Sequence, residues 1–259
     1  MGNYQKTAVV TGGAAGIGKR ISEKLAAAGY AVAIFDRDGR TAETLARELE
    51  RNGFSAKGLR CDVSSPDDIE KAFDAVILDY GRIDVLANNA GVGGYLPWLE
   101  ADRASLEKML SVNCTGAFLC VQRAAKEMIR FGTKGKIILT LSQASYTQDE
   151  GDVIPYCMSK WGERGLMRSA AAALSQYGIS VNGVCPGTVW TPMMEGFCKE
   201  YIGAGRGTRE EFIGFIESKY PMGRMQTADD IADMYMFLIE KSQNISGQAI
   251  LVSGGIAFS

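Results

Sequence analysis

The sequence predicts an α/β fold: a doubly wound parallel sheet with helices on both faces, in a single domain over residues 1–259. Three observations predict it. Short apolar runs alternate with longer segments of helical period, the pattern of repeated β-α units. The runs are continuously apolar, as strands covered on both faces require. No internal repeat, low-complexity tract or Pro/Ser-rich linker divides the chain.

The elements follow in order. Thr7–Thr11 reads as the first strand, followed by a glycine-rich turn and a helix over residues 18–28. Ala31–Asp36 is the second strand and residues 41–52 the next helix. A third strand over 56–61 leads into a helix over Pro66–Tyr80, whose start is marked by Ser65 as N-cap and Pro66 in the first position. Val85–Asn88 is the fourth strand, followed by a long helix over 106–130. Residues 136–141 form the fifth strand, 156–177 a helix and 180–185 the sixth strand. Thr227, with Asp229 and Asp230 close behind, opens a helix over 228–240, and a strand over 248–252 ends the series. Between these, residues 187–225 break the rhythm with Met-rich and Gly-rich stretches. A connection this long in a compact domain usually carries function, and residues 188–225 are read as a substrate lid inserted after the sixth strand.

Composition excludes several chemistries. A net charge of −2 without any Lys/Arg run argues against a nucleic-acid partner. No apolar stretch approaches the roughly 20 residues that span a bilayer, and the first residues do not resemble a signal peptide. The expectation is a cytoplasmic protein without membrane association. Cysteines at 61, 114, 120, 157, 185 and 198 form no CxxC pair, and read as reduced, mostly buried thiols. The chain contains no histidine. That removes Ser-His-Asp hydrolysis and every His-ligated zinc site, and no metal is expected. Acid–base chemistry near neutral pH must then come from Tyr, Lys, Cys or a carboxylate of shifted pKa.

Two motifs point to positive chemistry. Thr11-Gly12-Gly13-Ala14-Ala15-Gly16-Ile17-Gly18 lies between a strand and a helix, where glycines let backbone N–H groups approach a pyrophosphate. Its spacing differs from GxGxxG. Asp36 ends the second strand about 20 residues on, placed to accept hydrogen bonds from an adenosine ribose diol. The same carboxylate repels a 2′-phosphate and favours NAD over NADP, although the adjacent Arg37 is a cation that could tolerate that phosphate. The second motif, Tyr156-Cys157-Met158-Ser159-Lys160, opens a helical segment and sets a phenol and an ammonium on one face. A free phenol has a pKa of about 10, and a neighbouring Lys⁺ favours the phenolate.

Taken in order with Asn88-Asn89-Ala90-Gly91, Ser142 after a strand, and Pro186-Gly187, these motifs resemble the short-chain dehydrogenase/reductase family along nearly the whole chain. The resemblance implies a Rossmann-type fold and an NAD-dependent oxidoreductase acting on CH–OH groups. It implies that Asn113, Ser142, Tyr156 and Lys160 form the catalytic set, with Tyr156 as acid–base and Ser142 holding the reacting oxygen. Asn113 resembles the asparagine that kinks its helix and links water to the lysine. Thr11, Gly12, Gly16, Ile17 and Gly18 would bind pyrophosphate, and Asp36 the ribose. Asp62 and Val63 would clasp adenine; Asn89, Ala90 and Gly91 would line the centre of the cofactor. Lys160 would also hold the nicotinamide ribose, and Pro186, Gly187, Val189 and Thr191 the carboxamide. Thirteen residues separate Ser142 from Tyr156 where many members have about 12, with Ser145 the competing hydroxyl.

Substrate walls are expected from residues 93–96, 143–151 and 190–214. Gln143 and Asp149 offer hydrogen bonds, as do Tyr146, Gln148 and Asp152; Trp190 and Met193 offer apolar surface, with Met194 and Phe197. The mixture suits a small hydroxylated substrate. Ser142-Gln143-Ala144 and Thr191-Pro192-Met193-Met194 resemble members acting on acyclic polyols, acetoin or butanediol. The alternative is a 3-oxoacyl or other ketone reductase, and beyond it a non-catalytic NAD-binding regulator. The two long helices imply, by resemblance, a homodimer or homotetramer.

Overall fold

Side-chain alternation along the strands decides how the layers are built. On β1 (Thr7–Thr11), Ala8 and Val10 join one buried cluster while Val9 joins the other, and on β2 (Ala31–Asp36) Val32 and Ile34 oppose Ala33 and Phe35. Each strand therefore needs cover on both sides. α1 (Gly16–Ala27), α2 (Gly39–Arg51) and α9 (Ala228–Met236) supply it on one face through Ile21, Leu25, Leu45, Leu49, Ile231 and Tyr235. α3 (Pro66–Tyr80), α5 (Ala117–Arg130) and α6 (Ile154–Leu174) supply it on the other through Ile69, Phe73, Val121, Met128 and Met167. Phe35 and Phe73 meet edge to face at 5.3 Å between centroids. Each fully buried phenyl ring contributes roughly 1.5–3 kcal/mol. The computed structural model describes residues 6–94, 98–147 and 153–258.

The remaining strands are β3 (Ala56–Arg60), β4 (Val85–Asn88), β5 (Lys136–Thr140), β6 (Ser180–Pro186) and β7 (Ala249–Val252). All pair in parallel, in the order β3-β2-β1-β4-β5-β6-β7. The first three run outward from β1 and the next begin on its other side, so the order reverses between β1 and β4. A ligand crevice opens at such a switch point, beyond the carboxyl ends of the strands. Thr11, opposite Asn88 in the register, stands at its base. The expected doubly wound sheet is the observed one, with strand ends within one residue of expectation.

The helices differ from expectation in three places. The helix expected over 106–130 is α4 (Arg103–Leu110), a π turn over Ser111–Gly116, and α5. The widened turn directs Asn113 inward, and Gly116 is required there because a Cβ would lie 2.5 Å from the Val63 carbonyl oxygen. A second π turn, Phe237–Lys241, ends the helix expected over 228–240. Residues 188–225 hold two helices, α7 (Pro192–Gly203) and α8 (Arg209–Ser218). Thr191 caps α7 ahead of Pro192, and Thr208 with Glu211 forms a full capping box on α8. Among the described residues, no helix is long and apolar enough to cross a membrane. The six cysteines form no disulfide; Cys61, Cys120, Cys185 and Cys198 are buried.

Candidate active site

Backbone conformation shapes one end of the crevice. Gly12 and Gly16 take φ of +59° and +53°, a left-handed region that side chains disfavour. A Cβ on Gly18 would overlap the Gly12 carbonyl oxygen, so this glycine lets α1 pack against the turn. Ala15 at the N-cap supplies no side-chain cap, and the first turn of α1 contains no acid. The helix start thus presents N–H groups and the positive end of its dipole to the crevice, the arrangement that suits a pyrophosphate. Thr11 lies beneath: its hydroxyl accepts from the Asn89 and Ala90 amides at 2.9 and 3.0 Å and donates to Asn88 Oδ1 at 3.2 Å. Asn89 Nδ2 donates to the Thr11 and Gly12 carbonyls at 3.2 and 3.1 Å, and its Oδ1 accepts from Thr140 Oγ1 at 2.9 Å. These bonds tie the ends of β1, β4 and β5 together.

One cleft of about 1020 Å³ gathers nearly every expected cofactor residue: Gly12, Gly16, Ile17, Asp36, Asp62, Val63, Asn89, Ala90, Gly91, Tyr156, Lys160, Pro186, Gly187, Val189 and Thr191. Thr11 and Gly18 shape it from behind without lining it. Asp36 accepts from the Ala14 amide at 3.2 Å and the Asp38 amide at 3.1 Å, which pins the carboxylate at the mouth beside Arg37. Asp62 Oδ1 accepts from the Ser64 hydroxyl at 2.6 Å and the Ser64 amide at 2.9 Å; these two bonds hold it below the usual carboxylate range. The open helix start, the two left-handed glycines and the acidic strand end fit a nicotinamide dinucleotide.

α6 carries the other end. Pro155 stands in its first turn, and Tyr156 and Lys160 follow on one face, both lining the cleft. The Lys160 ammonium lies 5.7 Å from the centroid of the Tyr156 ring. Lys160 Nζ donates to the Thr140 carbonyl at 3.0 Å and to Glu163 Oε2 at 2.6 Å. Burial drives the Lys160 pKa down, but the charges of Glu163 and Tyr156 outweigh it and leave the ammonium above its ordinary range. Burial pushes the Glu163 carboxyl up to about 7, against the pull of Lys160. Sequence reasoning missed Glu163. Its signal was the extension of the 156/160 stripe by three residues, to an acid on the same face of the helix.

Ser142 follows β5, lines the cleft and accepts from the Ala144 amide at 3.1 Å. Ser145 is fully buried and donates to the Ser142 carbonyl at 2.6 Å, so Ser142 is the hydroxyl that faces the cleft. Asn113 Oδ1 accepts from the Val92 amide at 2.8 Å, and its Nδ2 donates to the Val92 carbonyl and to Ser159 Oγ, both at 2.9 Å. A Cβ on Gly91 would lie 3.4 Å from Asn113 Oδ1 and 3.5 Å from Lys160 Nζ. Gly91 thus lies against both Asn113 and Lys160.

Above Tyr156 the space is small. A Cβ on Gly93 would lie 3.2 Å from Met193 Sδ, 3.3 Å from Phe197 Cζ and 3.4 Å from Tyr156 Cδ2. Gln143 and Met193 line the cleft as expected. Trp190 does not. Val189 forms an isolated parallel bridge with Gln226 and faces the cleft, so extended backbone turns the next residue outward. There the Arg209 guanidinium stacks on the Trp190 ring at 4.6 Å. Asp149, with Gln148, Asp152 and residues 95–96, lies outside the described residues. α7 and α8 add Tyr201, Phe212, Phe215 and Lys219 to the outer wall, which the sequence reading placed only in part.

The family model for short chain dehydrogenases matches residues 6–201, and the chain belongs to that family. It is 32% identical over 256 residues to a diacetyl reductase [(S)-acetoin forming] of Staphylococcus epidermidis, covering 98% of this chain and 99% of that one. It is 35% identical over 259 residues to an L-2,3-butanediol dehydrogenase of Corynebacterium glutamicum, again covering 98% and 99%. Among solved structures, an actinorhodin polyketide ketoreductase variant with NADPH superposes with a TM-score of 0.93 at 32% identity, covering 98% of each chain. The chain is accordingly an oxidoreductase acting on alcohols and ketones, in a family that uses nicotinamide cofactors.

Proposed function

We propose that this enzyme transfers hydride between NAD(H) and a small secondary alcohol or its ketone, with vicinal diols, short polyols and hydroxyketones as its substrate class. The observation that carries the reading is that Tyr156, Lys160 and Ser142 line one cleft with Asp36 at its mouth. The nicotinamide, when bound, supplies or receives the hydride. Tyr156 takes the proton of the alcohol during oxidation and returns it to the carbonyl oxygen during reduction. Lys160 sets its ammonium 5.7 Å from the Tyr156 ring, where its positive charge steadies the oxygen as the proton is passed. Ser142 donates to the reacting oxygen and steadies its developing charge. Asn113 holds the loop at Val92 against the second turn of α6 through Ser159. Asp36 favours an unphosphorylated ribose. Residues 188–225 act as the lid through α7 and α8.

Two observations support the substrate class: the narrow space bounded by Gly93, Met193 and Phe197, and relatives named for diacetyl, acetoin and butanediol. A second reading, a reductase of larger apolar ketones, is favoured by Phe197, Tyr201, Phe212 and Phe215 along the outer wall. Phe118 on α5 and Met158 and Trp161 on α6 are exposed and support an assembly through those helices, as a dimer or tetramer. The test is a steady-state panel of diacetyl, acetoin, 2,3-butanediol, hexitols and bulky aromatic ketones with each cofactor. Turnover of the small substrates with NAD(H) is expected. Activity confined to the aromatic ketones would replace this reading with the second.

A further inference from the structure

Glu163 is buried beside the site and has no part in the proton transfer described above. It stands seven residues after Tyr156 and three after Lys160, on the same stripe of α6. Its Oε2 accepts from Lys160 Nζ at 2.6 Å, and both side chains are only 4% exposed. The titratable groups within reach of its charge are the Cys114 thiol of the π turn, the Tyr235 phenol of α9 and Lys160 on its own helix, and Lys160 in turn interacts with Tyr156. Lys160 already has the Thr140 carbonyl as an acceptor. Burying a carboxylate costs free energy that an apolar residue in this stripe would avoid, so stability alone gives a weak reason for its presence.

The consequence for chemistry follows from charge. An ammonium stabilises negative charge that develops beside it, and a carboxylate paired to that ammonium cancels part of the effect. We propose that Glu163 is a positioning residue: it fixes the Lys160 ammonium at 2.6 Å, and its negative charge offsets part of the field that this ammonium exerts on Tyr156. Burial supports the same picture, because it lifts the Glu163 carboxyl toward neutrality, where it changes charge within the working range of the enzyme. The chain has no histidine to titrate there. The inference rests on the reading of Tyr156 as the acid–base group.

The test is the pH profile of kcat/KM for alcohol oxidation in the Glu163→Gln enzyme, which keeps the shape and removes the charge. The acidic limb is expected to move down by about one pH unit, with NADH affinity changed less than about threefold. A profile superimposable on the wild type overturns the role of Glu163. Turnover retained in Tyr156→Phe instead overturns the underlying reading, so the two failures are distinguishable. Should Glu163→Gln not fold, Glu163→Asp is measured in its place: it keeps the charge but shortens its reach to Lys160, and its acidic limb is expected to move in the same direction. An acidic limb unmoved in Glu163→Asp refutes the proposal.

Discussion

At the dinucleotide end of the cleft, the geometry is set by backbone: Gly12 and Gly16 in left-handed conformations, an uncapped helix start, and a strand that stops at Asp36. At the substrate end it is set by side chains from α6, α7 and α8, converging across elements far apart in sequence. The first kind of site tolerates no added atoms and offers little freedom to vary. The second can change its occupant by exchanging one side chain. In the proposed function Tyr156 and Lys160 of α6, which line the same cleft, join chemistry to both.

The largest effect expected is at the backbone end. Gly18→Ala forces a methyl into the Gly12 carbonyl, where only backbone can move. It is expected to cost about 3 kcal/mol of stability and to abolish dinucleotide binding, read by denaturant melts and NADH titration. A variant that binds NADH normally would break the contrast between the two ends. Asp36→Ala is next: the NAD-to-NADP ratio of kcat/KM is expected to fall by about 10- to 100-fold, the scale of one removed charge repulsion at a partly buried site. Equal use of both cofactors by the wild type would remove the basis for this argument.

Phe197→Ala acts at the other end and should be milder. Widening the space above Tyr156 is expected to raise KM for a small diol within about tenfold and to improve bulky ketones, with cofactor affinity unchanged. A loss of NADH affinity would mean that the ends are not separable.

The smallest effect concerns pH and stability. The folded-state pKa of Glu163 lies near 7, above its ordinary 4.5, so the folded chain holds the extra proton between those values. Stability from this group is therefore complete below about pH 4.5 and lost as pH rises toward 7. Melting midpoints of the wild type should fall relative to Glu163→Gln across that window; parallel curves would show that the carboxyl is ionised throughout.

Legibility in the sequence divides along the same line. Period, apolar runs and glycine positions report backbone directly, so the sheet, the turn at Gly12 and Gly16, and Asp36 could be read residue by residue. Tyr156 and Lys160 were legible because four residues on a helix fix a shared face. The side on which Trp190 falls is not legible, because extended backbone alternates from one residue to the next and sets Val189 against the cleft. The capping signals at Thr191 and Thr208 were present in residues 188–225, yet irregular hydrophobic spacing hid the two helices. The π turn at Ser111–Gly116 leaves no periodic trace, since one inserted residue disturbs the pattern only locally. Glu163 was hidden because a charged residue on a helix is ordinarily solvated, and its burial depends on a lysine that is itself buried.

The most direct test of the account is Tyr156→Phe assayed for NADH-linked reduction of acetoin or diacetyl, with NADH affinity measured in parallel by fluorescence. A fall in kcat of about 10²- to 10⁴-fold with NADH affinity preserved is predicted, the range for removal of a general acid–base. Wild-type turnover without the phenol would contradict the assignment of the proton to Tyr156.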